Sequence, residues 1–239
     1  MGKLGTKSVN DEAKEGTPKT LKPGNVSAKI NSIKLEPVKW KEGAYSIVLN
    51  LEGPDLGADF EGFQIDKDRP ELGKAKGQVG RVKSDKWPYS DGRTKSGIEI
   101  VRDDEILKFL KSLCRAIGKL DWFDAQDNKF DTIEDFIKAF DNDAPFRNVW
   151  LNWCICGKEY TGKTGYTNYD LFLPKASKQG IPFEMEQVDS GKVFQFNPDV
   201  HVEKERKSAP VDSFGDNTSS GVIGGSSDIS LGSNDDFEL

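Results

Sequence analysis

Seven cations lie between Lys74 and Lys95 (Lys74, Lys76, Arg81, Lys83, Lys86, Arg93 and Lys95), opposed only by Asp85 and Asp91, which leaves the segment at +5. Among them stand Trp87 and Tyr89. Cations that neutralise phosphates, interleaved with rings on which bases stack, are what a single-stranded nucleic acid needs, each stacked base contributing about 1–3 kcal/mol. Pro88 and the pair Asp91-Gly92 make this stretch a loop or hairpin tip, where such rings stand clear of a core. The competing reading is a solvated loop whose Trp87 folds back onto the body. Two further clusters have the same composition. Lys39, Trp40 and Lys41 end the first predicted strand, and Trp150, Lys158, Tyr160, Lys163 and Tyr166 are spread over the last two. Trp153 alternates with Val149, Leu151 and Ile155 and is core, whereas Trp150 faces the other way beside Asn152.

Other chemistries find weaker support. Gly157 to Thr164 satisfies the G-x-x-x-x-G-K-[ST] phosphate-loop pattern, but that loop requires a helix after it, and Tyr166 to Phe172 alternates like a strand. A nucleotide-binding enzyme is therefore the alternative reading, with a protein-interaction module as another. Cys114, Cys154, Cys156 and His201 are the Cys and His residues of the chain. Their spacing is not that of a zinc knuckle, and buried thiols explain them more simply. Nothing pairs a nucleophile with a base, so neither a catalytic residue nor a cofactor is expected.

These residues must be carried by strands. Val26 to Val38 alternates with a phase slip between Ile30 and Ile33, which reads as a β-bulge. Tyr45 to Leu51 forms a second strand, and Phe60 to Ile65 a third, after a turn at Gly53-Pro54-Asp55. A short strand at Ile98 to Val101 leads to a helix capped by Asp103 or Asp104 and ended by Gly118, with Ile106, Leu107, Leu110, Leu113, Cys114 and Ile117 on its apolar side. A second helix starts near Asp131 and Thr132. Strands at Val149 to Cys156 and Tyr166 to Leu173 follow, then a loose extension over 180–206 with one possible strand at Lys192 to Phe196. The expected fold is mainly β, a small Greek-key barrel of OB type with one or two helices between its third and fourth strands.

The organisation expected is a flexible arm over 1–22, a binding domain with its extension over 23–206, and a disordered Gly/Ser-rich linker with an acidic tip over 207–239. The chain of 239 residues has a net charge of −6, with 34 Lys and Arg against 40 Asp and Glu. From Ser208 onward there are six acids and no cation, so residues 1–207 balance at 34 of each sign. The acidic total thus does not count against nucleic-acid binding by the body. With no apolar leader at Met1 to Lys22, no membrane-length apolar run and no disulfide framework, a cytoplasmic location and no membrane partner are expected.

Linker residues Gly221 to Ser233, the tip Asp235-Asp236-Phe237 and the strand order together resemble the OB-fold single-stranded-DNA-binding proteins of tailed bacteriophages and of bacteria. The bacterial tip ends in Pro-Phe, whereas here Glu238-Leu239 follow. The resemblance implies a protein that coats and protects single-stranded DNA during phage DNA replication, recombination and repair in the host cytoplasm. It also implies that Asp235, Asp236 and Phe237 hook replication or recombination proteins. When DNA is absent, the tail's acids are expected to compete for the basic groove.

Overall fold

The computed structural model describes residues 19–67, 69–163, 165–174 and 185–205. All lie in the first of two units, residues 1–205. The tail over 207–239, with Asp235, Asp236 and Phe237, and the arm up to residue 18 lie outside the described residues. In chain order the elements are β1 (Gly24–Pro37), β2 (Tyr45–Asp55), β3 (Phe63–Gln64), β4 (Lys74–Ala75), β5 (Gly77–Lys83), β6 (Gly92–Arg93), β7 (Glu99–Ile100), α1 (Arg102–Ala116), α2 (Leu120–Asp124), α3 (Ile133–Asp143), β8 (Trp150–Thr161), β9 (Thr167–Phe172), β10 (Met185–Gln187), α4 (Pro198–His201) and β11 (Val202–Glu203).

The protein is mainly β, built on a mixed sheet in which β1, β2, β5, β9 and β8 are successive neighbours and β8 pairs again with β1. Every contact in this circuit is antiparallel except β5 with β9, which is parallel and short: Val82 faces Leu171 and Lys83 faces Phe172. The slip expected in the first strand is a register shift between Ile30 and Ser32. It lets one strand serve two partners, with Gly24 to Lys29 on β8 and Lys29 to Pro37 on β2. Beyond Lys29 the β8 side of β1 has no strand partner among the described residues. There Asp141, from α3, accepts the Ile33 amide at 2.8 Å and also binds the Arg69 guanidinium. Burial raises the pKa of Asp141 above the usual carboxylate range, although the Ile33 amide and Arg69 pull the other way.

Ile30, Ile47, Leu49, Leu51, Val82, Leu151, Ile155 and Leu171 point inward and meet Ile106, Phe109, Leu110 and Leu113 of α1 and Phe136 and Phe140 of α3. Trp153 is buried as expected, its indole N–H donating to the Ala28 carbonyl at 2.9 Å. The helical side is aromatic: Trp122 meets Phe136 and Phe140 edge-on, and Phe123 and Phe130 meet Phe136.

Several expectations are corrected. The third strand of the sheet is β5, Gly77–Lys83, inside the segment read as a basic loop; Phe60 to Ile65 contributes only β3, a two-residue ladder with β4. Glycines obscured β5, and packing explains them. A Cβ on Gly80 would lie 2.9 Å from that of Leu21, and one on Gly77 would lie 2.1 Å from the Gly53 carbonyl. Leu21 is buried against this notch while Thr20 bridges Val79, so residues 19–21 are bound to β5 and are not part of a loose arm. Helix α1 starts one residue before the proposed caps: Val101 is the N-cap without a side-chain bond, and Asp103, Asp104 and Glu105 occupy the first turn, where acids suit the helix dipole. Between the two expected helices lies a third, α2. The extension is also more ordered than expected. β10 and β11 both pair with β8, and no strand forms at Lys192 to Phe196.

The bulge between Glu52 and Asp55 of β2 is held by a carboxylate. Glu52 accepts from Asn31 Nδ2 at 3.0 Å and from the amides of Lys76 and Gly77 at 2.8 and 3.1 Å, with Lys29 Nζ at 3.3 Å. Burial alone would raise its pKa, but these donors outweigh it and hold the group below its ordinary value. The stability this contributes is complete above the unfolded pKa of about 4.3 and is lost as pH falls through the lower folded value. Glu52→Gln should therefore cost about 1–3 kcal/mol near neutral pH, with a gap to wild type in urea melts that narrows toward about pH 3.

Candidate nucleic-acid interface

At one end of the sheet three connections are tied into a single surface: the β1–β2 loop, the loop after β5, and the β6–β7 ribbon. Tyr45 and Tyr89 exchange both backbone hydrogen bonds, at 2.9 and 2.7 Å. Lys41 Nζ donates to Ser90 Oγ at 2.7 Å, joining the first two loops. The Arg102 amide donates to Asp91 at 2.8 Å, while its guanidinium donates to the Gly43 carbonyl at 3.0 Å and lies 4.8 Å from the Tyr45 ring. Clusters separate in sequence, Lys39-Trp40 and Lys86-Trp87, are thereby carried on bonded loops.

The indoles on this surface are open. Trp40 is 71% and Trp87 62% exposed, so the reading in which Trp87 folds back onto the body does not hold. Asp85 fixes the Trp87 turn by accepting its amide at 2.9 Å, and Lys86 Nζ sits 5.1 Å from the Trp87 ring centroid. Arg93 and Lys95 are exposed on the ribbon, whose turn is ordered by the Thr94 hydroxyl accepting the Ile98 amide at 3.0 Å. Tyr89 departs from its expected role. Its ring packs on the core, its hydroxyl bonds Ser84 Oγ at 3.0 Å, and burial raises its pKa. It supports the loop and does not offer a stacking face.

A second set sits on the β8–β9 hairpin. Tyr160 and Tyr166 are 46% and 74% exposed, and Lys158 and Lys163 are exposed beside them. Below the short β5–β9 pairing the strands diverge into a groove of about 770 Å³, bordered by Arg81, Lys83, Tyr160 and Asn168. Arg81, one of the seven cations of the basic segment, faces this groove from β5. Trp150, 39% exposed, is on another part of the surface, with Lys29 Nζ 5.9 Å from its ring.

Many of the cations already have acidic partners. Lys83 bonds Asp170 at 2.9 Å, Arg81 bonds both Glu36 oxygens at 2.6 Å, and Lys86 pairs with Glu203 of β11. Lys39, Arg93, Lys95, Lys158 and Lys163 form no ion pair among the described residues.

The other candidate chemistries lose their geometry. Gly157 to Thr161 lie in β8 and the chain re-enters strand at Thr167, so the phosphate-loop pattern falls on a β-hairpin without a helix N-terminus. Cys114 is buried in α1, its thiol pushed up to about 12 by burial and by Asp124. Cys154 Sγ lies 3.9 Å from His201 Nδ1 under the extension. Among the described residues no three His, Cys, Asp or Glu side chains converge as metal ligands, and no helix is long and apolar enough to cross a membrane.

No known protein family, curated protein or solved structure matches the chain.

Support and binding roles separate in stability measurements. Tyr89→Ala should cost about 3 kcal/mol or more, as for other truncated core aromatics, while Arg93→Ala and Lys95→Ala should stay within about 0.5 kcal/mol of wild type. A Tyr89→Ala variant as stable as wild type would contradict the supporting role.

Proposed function

We propose that the chain is a single-stranded-DNA-binding protein of OB-fold type that coats and protects single strands during replication, recombination and repair. The observation that carries this reading is the pair of exposed indoles, Trp40 and Trp87, on loops bonded to each other and flanked by Lys39, Lys86, Arg93 and Lys95. Bases stack on the indoles and the cations take the phosphates, so binding tolerates any sequence. The order of pairing supports the OB assignment: a five-strand circuit in which β5 and β9, third and fifth of its strands in chain order, are parallel, with the helices between β5 and β8. Tyr160, Tyr166, Lys158 and Lys163 extend the contact along the groove, with Lys83 at its upper edge.

No reaction is assigned, and no cofactor is needed for this activity. Asp235, Asp236 and Phe237 carry the proposal that partner proteins dock on the tail, on the strength of the acidic–aromatic pattern alone.

Titration with poly-dT should quench tryptophan emission, and ATP should not compete. Trp40→Ala and Trp87→Ala should each weaken binding by about 1–3 kcal/mol, roughly 5- to 150-fold, with the salt slope unchanged. Arg93→Ala and Lys95→Ala should weaken binding less and lower that slope by about one each. Affinity independent of salt, or equal for duplex and single strand, would overturn the reading.

A further inference from the structure

Segment 56–76, between β2 and β5, lies against β1 and β2 and is pinned there by charge. Lys34 Nζ reaches the buried Asp66 carboxylate at 2.7 Å, and Arg69 joins Asp66 to Asp141. The 770 Å³ groove with Tyr160 lies on one side of this segment. On the other is a second groove of about 470 Å³, whose wall includes Trp150, Lys29, Lys74 and Arg147. Asn31 and Ile65 line both cavities and are what stands between them.

The second groove has the composition of a strand-binding site. Its indole is partly exposed with a lysine above the ring. Lys74 and Arg147 are exposed and form no ion pair among the described residues. Its acids are Glu52, Asp55 and Glu71, and Glu52 is turned inward to the amides of Lys76 and Gly77. A phosphate there meets two available cations and one indole, at the end of a path that already passes Tyr160.

We propose that this groove is a second subsite for the same single strand, with Trp150 stacking a base and Lys74 and Arg147 holding the flanking phosphates. The subsite rests on the proposed function, since it binds a later section of a strand first held by the loop surface and the β8–β9 groove. A strand too short to reach past Asn31 and Ile65 does not feel it.

Fluorescence anisotropy on the full chain, with labelled oligo-dT of about six and about twenty nucleotides, tests this. Trp150→Ala should weaken the longer oligonucleotide about fivefold or more and leave the shorter within about twofold. The exposed double variant Lys74→Ala/Arg147→Ala, which leaves the core untouched, should do the same and lower the salt slope of the longer one by up to about two. Unchanged affinity for the longer strand in the double variant overturns the subsite while leaving the DNA-binding reading in place. Equal losses on both lengths also overturn it, by placing Trp150 in the primary site. A wild-type chain that binds neither length removes the function and the subsite together.

Discussion

The architecture depends on β1 serving two strands at once. A flat, regular strand of its length would hold β2 and leave β8 to find another edge. The register shift at Ile30–Ser32 turns the strand so that its first half meets β8 and its second half meets β2, which returns the sheet to its starting strand. The turn also uncovers backbone where β8 departs, and a buried amide without a partner is costly. Asp141 meets that need at Ile33, and α3 must dock where its carboxylate can reach. The same side chain binds Arg69, so the position of segment 56–76 follows from the bulge as well.

The order of strand pairing also determines where the loops emerge. The β1–β2 loop and the loop after β5 emerge at the same end, because β2 is antiparallel to both strands. Tyr45 and Tyr89 then lock their bases together. On the proposed function, Trp40 and Trp87 held this way would lose little conformational freedom on binding, which is where a preorganised surface gains over a mobile one. The paired cations behave differently. On the proposed function, a phosphate arriving at Lys83, Lys86 or Arg81 would exchange with Asp170, Glu203 or Glu36, a substitution of one anion for another that contributes less than a contact with an unpaired cation.

Much of this was legible in the sequence where local pattern and tertiary need agree. Alternation located β2, β8 and β9, the phase slip located the bulge, and Thr132 accepts the Asp135 amide as a helix cap. The failures share a cause. β5 carries Gly77 and Gly80 because Gly53 and Leu21 pass within a Cβ's reach, and close approach by a distant segment leaves no local periodic mark. Tyr89 was indistinguishable from Trp87 by composition, yet the Tyr45 bridge turns one inward while the Asp85 turn leaves the other outside. Residues 185–203 lack alternation because β10 and β11 are strands of three and two residues defined by the edges of β8 that they fill. The cations were countable in sequence, but their pairing across the sheet was not.

The way β8 is flanked has a consequence for crowding. One edge is taken by β1 and then β11, the other by β9 and then β10, while the lower part of β5 is covered by residues 19–21. Proteins that line up along a common polymer are held at very high local concentration, where an uncovered strand would recruit its neighbour's backbone into a continuing sheet. With those edges capped from within the chain, copies brought side by side on one strand, as the proposed function has them, meet β8 and the lower part of β5 already paired.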